Sequence, residues 1–321
     1  MINETVRPFF NSEILSEACV RFDIPPANAK LVQGNSNLIF DCGTRFLRLS
    51  HSAIRGTDEI VPEITWLLDL LEEQFPVVRP LMSRHGRYCE QIGEEEHFTA
   101  VCFETINGRK IKRNEWGASH FVRLGKLVGQ MHRAGRKFEQ SSHAVYPDWD
   151  ELEEYDNHPY LSSVDAAYEG LHKLLIKHFA TFPKTSTNYG LVHYDVHHGN
   201  YLLAEESGEL VFFDFELACK SWYANDVAIV LYYAGHFEGK FKTPDFEATF
   251  MKHFWVGYEG EFHIKKEEKE WIPFFLLYRD LFVLSFVARI WDLEKLTKLQ
   301  AGYIKFIKKS VSERSRILGY S

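Results

Sequence analysis

Two short segments constrain this chain more than anything in its composition. They are Leu191-Val-His-Tyr-Asp195-Val-His-His-Gly-Asn200-Tyr-Leu-Leu203 and Leu210-Val-Phe-Phe-Asp214-Phe-Glu216. Tyr201 to Leu203 and Leu210 to Phe213 read as short apolar strands. Glu205-Glu-Ser-Gly208 between them reads as a turn, with Gly208 able to adopt φ > 0. Antiparallel register with Ala204 facing Glu209 sets Asn200 opposite Phe213, one residue from Asp214. The hairpin then delivers an amide oxygen and a carboxylate to one place. Both are hard ligands suited to magnesium, which takes few protein ligands beside phosphate oxygens and water. Asp195, on the loop just before, offers a carboxylate that can orient a hydroxyl and take its proton.

H-x-D-x-x-x-x-N followed by D-F-x resembles the catalytic loop and metal strand of kinases. The fuller pattern resembles the aminoglycoside phosphotransferase and choline kinase family, in its bacterial branch near stress-linked Ser/Thr kinases and homoserine-kinase-like proteins. There the loop commonly reads H-G-D-x-H-x-x-N, and His193, Asp195, His197, Asn200 and Asp214 stand at matching positions. Tyr194 replaces the usual small residue. Glu216 stands where Asp is frequent and keeps a carboxylate for a further metal contact. Leu231-Tyr-Tyr233 matches the end of an aromatic-rich helix, so the resemblance runs from about Leu31 to Tyr233.

The resemblance implies an α+β, bilobal protein-kinase-like fold with a small antiparallel-sheet N-lobe and a mostly helical C-lobe. The expected partition is a nucleotide-binding lobe at 1–103, a hinge at 104–108, and a helical lobe at 109–321 with the catalytic loop and acceptor site. The implied reaction is transfer of the γ-phosphoryl group of ATP, with Mg2+, to a small-molecule hydroxyl such as that of an amino alcohol, aminoglycoside-like or sugar-like acceptor. Asp195, Asn200 and Asp214 are the catalytic candidates, and Asn200, Asp214 and Glu216 the metal candidates.

For the nucleotide, the resemblance points to Arg48, Glu63, Asn37, Phe103, Glu104 and Ile106. Leu31-Val-Gln-Gly-Asn-Ser-Asn37-Leu-Ile-Phe40 leads into a strand, a turn at Asp41 to Thr44, and Arg45-Phe-Leu-Arg48-Leu. A Gly-containing loop before such a hairpin lets backbone N–H groups approach phosphates. The chain has no G-x-G and no G-x-x-x-x-G-K-[ST], which removes Rossmann and Walker readings. Arg48 stands where kinases place a strand lysine, and a guanidinium can grip phosphate oxygens in bidentate fashion. Ile60, Ile64, Leu67, Leu68 and Leu71 have helical spacing. Glu63 near the start of that helix is the candidate partner of Arg48, with Glu59 as the second; Pro62 is either the first helical residue or a kink. Glu104 to Gly108 is the implied hinge, whose backbone would meet the adenine edge beside Phe103.

Beyond the hinge the pattern is mostly helical. Phe121, Leu124, Leu127, Val128 and Met131 form one face, with His132 expected at the helix end as a structural residue. Asp226 matches a family residue that braces the catalytic loop, and His193 reads as a loop-bracing residue. Asp148 to Asp156 reads as a solvated acidic helix face or, by the resemblance, as a binder of cationic amines with Trp149 or Tyr155. Arg279 and Asp280 either face the cleft or pair with one another.

A net charge of −8 argues against nucleic acid as main partner. The start of the chain has no secretory segment, and no apolar run reads as long enough to span a bilayer. Five cysteines without C-x-x-C spacing speak against disulfides or a zinc site. The expectation is a cytoplasmic monomer or homodimer with no membrane partner. Three other readings stand beside the small-molecule kinase. One is a Ser/Thr protein kinase of the same fold, although no A-P-E motif follows Asp214; another is a nucleotide-binding pseudoenzyme. The third is a zinc metallohydrolase using the histidines at 193, 197 and 198, whose H-x-D-x-H-H order departs from hydrolase loops.

Overall fold

The computed structural model describes residues 5–34, 37–152, 158–238 and 244–320. The chain forms two compact units. One holds residues 1–110, 142–145 and 199–216, the other 111–141, 146–198 and 217–321. This differs from the sequence expectation of a break at 104–108 with all later residues in the helical lobe. The reason is strand pairing. Gly108–Arg109 pairs with Tyr201–Ala204, which carries the hairpin of Asn200 and Asp214 into the first unit.

In the first unit α1 (Ser12–Arg21) precedes β1 (Lys30–Gly34), β2 (Leu38–Asp41) and β3 (Arg45–His51). Next come α2 (Thr57–Glu72), β4 (Pro80–Leu81), β5 (Cys89–Ile92), β6 (Phe98–Glu104) and β7 (Gly108–Arg109). The antiparallel sheet runs β1-β2-β3-β6-β4, with β5 also on β6. Alternation along β3 sorts its side chains. Leu47 and Leu49 join Ala18, Cys19, Phe22, Phe40, Phe98 and Cys102 in an apolar core. Arg48, between them, faces α2, where Ile60, Ile64, Trp66, Leu67 and Leu70 are buried at helical spacing. Pro62 lies inside α2, neither at its first position nor ending it.

The second unit begins with α3 (Ala118–Ser141), α4 (His158–Val164), α5 (Ala166–Phe179) and β8 (Tyr189–Val192). The chain returns to the first unit for the hairpin of β9 (Tyr201–Ala204) and β10 (Leu210–Phe212). It then completes the second with β11 (Cys219–Trp222), α6 (Tyr223–Glu238), α7 (Pro244–Tyr258), α8 (Lys266–Lys269), α9 (Ile272–Ile290) and α10 (Lys298–Leu318). Antiparallel β8 and β11 pair Val192 with Cys219, which anchors the loop that begins at His193.

One stretch corrects the membrane reading. Lys266–Ile290 is long and apolar enough to cross a bilayer by length and composition. Its apolar window is 72% buried inside the protein, the signature of a core helix. α3 also continues to Ser141, so His132 is a mid-helix residue and not the helix end. All five cysteines are free thiols.

Candidate active site

The hairpin between Asn200 and Asp214 closes in the register read from the sequence. Leu203 pairs with Leu210, Leu202 with Val211 and Tyr201 with Phe212. The Ala204 N–H donates to the Glu209 carbonyl at 2.8 Å, the Phe213 N–H donates to the Asn200 carbonyl at 3.0 Å, and Gly208 takes φ +67°. Asn200 is therefore buried beside the strand end that carries Asp214. Asp214 itself is exposed and left-handed, with φ +66°. A non-glycine residue held there costs free energy that surrounding structure must offset, and such residues cluster at functional sites. Phe215 supplies part of that support, packing edge-on against Trp66 of α2 at 5.1 Å.

Glu216 follows two residues later. Its carboxylate accepts from the Asn37 side-chain amide at 2.5 Å, and Asn37 accepts from the Ser50 hydroxyl at 2.5 Å. Burial pushes the Glu216 carboxyl above its ordinary value; the Asp214 charge adds to this while Arg55 and Arg48 oppose it. Two carboxylates that raise one another's charge cost in this way are hard donors of the kind a divalent cation relieves. Among the described residues no group of three His, Cys, Asp or Glu side chains is placed to hold a metal ion.

Arg48 and Glu63 form a bidentate pair, Nη1 to Oε1 at 2.8 Å and Nη2 to Oε2 at 3.0 Å. Glu59 is occupied otherwise: its carboxylate accepts from the Gly56 N–H at the start of α2. Arg55, which sequence reasoning missed, donates to Glu63 Oε2 at 2.5 Å. The signal was available. A carboxylate on the buried face of an amphipathic helix needs full compensation, and a second arginine stands just before that helix. Burial pushes Glu63 up, but Arg48 and Arg55 outweigh it and hold the carboxyl at about 2. Arg48 is held above its ordinary value. Burial works against its charge, and Glu63 overcomes this, with help from Glu216 and Asp214.

The hinge candidates are less uniform. The Arg48 guanidinium lies 5.3 Å from the Phe103 ring centroid. The Glu104 N–H donates to the Arg79 carbonyl and the Thr105 N–H to the Thr44 carbonyl, so both belong to the sheet edge. Ile106 is half-buried. Of the glycine-containing loop, residues 35 and 36 lie outside the described residues.

Asp195 belongs to the second unit. Its N–H donates to His193 Nδ1 at 3.3 Å, and His193 is fully buried, which fits a brace. Tyr194 adopts φ +67°, the conformation a small residue takes at little cost. The Tyr194 N–H donates to Asp226 at 2.8 Å, and its hydroxyl accepts from Asn225 at 3.2 Å. Asp226 is buried and also bonds His132 at 2.9 Å, with Tyr258 on the other ring nitrogen of His132 at 2.6 Å. A buried tyrosine at a strained position is thus held by a chain of satisfied polar groups.

The Asp195 carboxylate has two named partners. Arg279 Nη2 donates to Oδ1 at 2.7 Å, and His197 Nε2 lies 3.3 Å from Oδ2. Burial alone would raise this carboxyl, but the His197 hydrogen bond and the Arg279 charge hold it at about 2. Of the two neighbours on α9, Arg279 turns to Asp195, while Asp280 accepts from Ser310 and faces Arg314. Trp149 is core, packed among Phe179, Trp222 and Tyr278, while Asp148 pairs with Lys184 and Lys220. The remainder of the acidic stretch, residues 153–156, lies outside the described residues.

A carboxylate on a braced loop, a hairpin of hard oxygen donors and a buried arginine–glutamate pair define a phosphotransferase. Residues 29–263 match the family described as phosphotransferase enzyme family, and the chain belongs to that family. It is 25% identical to the amicoumacin kinase of Bacillus subtilis (strain 168), over 99% of this chain and 97% of that protein. Among solved structures, the amicoumacin kinase hAmiN in complex with AMP-PNP, Ca2+ and Ami superposes with a TM-score of 0.87 at 23% identity, covering 98% of this chain and 97% of that one. A microcompartment-associated aminopropanol kinase superposes with a TM-score of 0.68 at 17% identity, covering 97% and 98%.

Proposed function

We propose that this enzyme moves the γ-phosphoryl group of ATP to a hydroxyl of a small-molecule acceptor, with Mg2+ as the divalent cation. One observation carries the reading: in the first unit Arg48, clamped by Glu63, feels the charges of Glu216 and Asp214, the two carboxylates of the metal hairpin. A phosphate-gripping cation and a hard donor set are what phosphoryl transfer requires side by side. Arg48 would neutralise the α- and β-phosphates, with Glu63 and Arg55 fixing its orientation. Asn37 orients Glu216, and Phe103, Glu104 and Ile106 would lie along the adenine. Asn200, Asp214 and Glu216 would hold Mg2+, which when bound neutralises phosphate charge.

Asp195 accepts the hydrogen bond of the acceptor hydroxyl and aims its oxygen at the γ-phosphorus. That oxygen bonds to phosphorus as the bond to the bridging oxygen breaks, its electron pair leaving on ADP. The hydroxyl proton is released to solvent. The protein's contribution is positioning and charge placement. The names of amicoumacin kinase and aminopropanol kinase support a small-molecule acceptor. A complex holding AMP-PNP and Ca2+ supports nucleotide with a divalent cation. Five free thiols suit a reducing compartment, and we place the enzyme in the cytoplasm.

Calorimetric titration of ATP into the purified protein, with and without Mg2+, tests the site directly. Binding should require Mg2+ and be lost in Asp214→Ala. Nucleotide binding indifferent to both metal and substitution would remove the assignment of the hairpin. With binding established, amino alcohols, aminoglycosides and sugars form the acceptor panel, read as ADP release.

A further inference from the structure

α9 is the most apolar helix of the second unit, and at its centre it buries a guanidinium: Arg279 is 3% exposed. A charge placed there must be compensated. Its Nη2 donates to Asp195 Oδ1 at 2.7 Å and to the Tyr233 hydroxyl at 2.9 Å. The guanidinium also lies over the Phe282 ring at 4.4 Å and the Tyr233 ring at 5.1 Å, which fixes its plane from two sides. The other carboxylate oxygen meets a different kind of partner. His197 is 25% exposed, on the same loop as Asp195, and Asp195 itself is 21% exposed. Oδ1 is thus held from the interior and Oδ2 from the open side.

We propose that Arg279 is a positioning residue for the phosphoryl transfer, locking Oδ1 of Asp195 so that Oδ2 presents an oriented anion to the acceptor hydroxyl. The inference rests on the reading of Asp195 as the residue that meets the acceptor. It assigns His197 as the group the hydroxyl displaces or shares, since a carboxylate oxygen has two lone-pair sites. It also defines the role of Asp195: a carboxylate gripped by a guanidinium is a poor store for a proton and a good orienting anion. The groups facing it are His193 and His197 from its own loop, Arg279 from α9 and Tyr233 from α6. The low position of its carboxyl, about 2, agrees with this set. Removing Arg279 takes away one of the charges that oppose burial, so the carboxyl moves upward.

The test is a carbon-13 NMR pH titration of the full-length protein labelled at aspartate carboxyls, with the Asp195 signal assigned by its loss in Asp195→Asn. In wild type the signal should stay ionised down to about pH 4, near the ordinary aspartate midpoint. In Arg279→Gln it should titrate above that value. In parallel, ADP release with Mg2+ and ATP should fall roughly 10²-fold in kcat, with KM for ATP unchanged. Arg279→Lys, which keeps the charge, should recover part of that loss. A wild-type Asp195 signal titrating near pH 4 overturns the proposal without needing any variant to fold. So does a folded Arg279→Gln with unchanged titration. Full ADP release by Asp195→Asn would instead remove the catalytic reading of Asp195, a separate failure from that of Arg279.

Discussion

At the scale of single residues the dominant fact is buried charge. Glu63 is 2% exposed and is compensated by Arg48 and Arg55 together. Glu63→Gln would leave two buried guanidiniums facing a neutral amide, and should cost about 3–5 kcal/mol in urea denaturation. The pH dependence has a definite sign. The folded carboxyl sits at about 2 against an ordinary 4.5. Its stabilisation is therefore complete above about pH 4.5 and is lost as pH falls toward 2. Glu63→Gln should flatten that part of the stability–pH curve; a curve as steep as wild type would exclude Glu63 as its source. The sequence placed Arg48 between two apolar neighbours and Glu63 on the next helix. It left Glu59 open because helix boundaries decide which carboxylate turns inward. The Gly56 cap settles it by occupying Glu59.

At the scale of elements, close helix packing explains residues that periodicity alone leaves unassigned. α3 and α7 approach so tightly that a Cβ on Gly125 would run into the Phe254 carbonyl, and one on Gly257 into the Val122 carbonyl. Gly125→Ala should destabilise by about 1–3 kcal/mol through forced separation of the helices. Gly170 on α5 makes the contrasting case, since a Cβ there meets nothing. Gly170→Ala should be neutral or stabilising by up to about 1 kcal/mol. Urea midpoints of the two variants check the pair, and equal effects would mean that α3 and α7 can part freely. The hairpin between Asn200 and Asp214 lies at the other extreme of legibility. Its register followed from a two-strand pattern and one glycine, because strand pairing is local and the turn sets it.

At the scale of the molecule, ligand binding and folding are linked. Mg2+ with ATP at about 100 times Kd should stabilise the protein by about 2.7 kcal/mol. The thermal midpoint should rise by a few degrees, and Asp214→Ala should abolish the rise. A rise that persists in that variant would place the nucleotide elsewhere. The sequence alone determined the hairpin register, the Asp195–Asn200–Asp214 spacing, the antiparallel sheet and the helical remainder, because each depends on neighbours within a few residues or on a simple period. Tertiary structure decided the rest. It drew the hairpin into the first unit through β7, where Gly108 pairs with Ala204 and Arg109 with Leu203, partners far apart in the sequence. It gave Glu63 a second arginine, seated Tyr194 in a left-handed turn under Asp226, and set Arg279 of α9 on Asp195. Those choices hinge on which side chains meet across dozens of residues, and burial makes each polar group find a partner that no local pattern names.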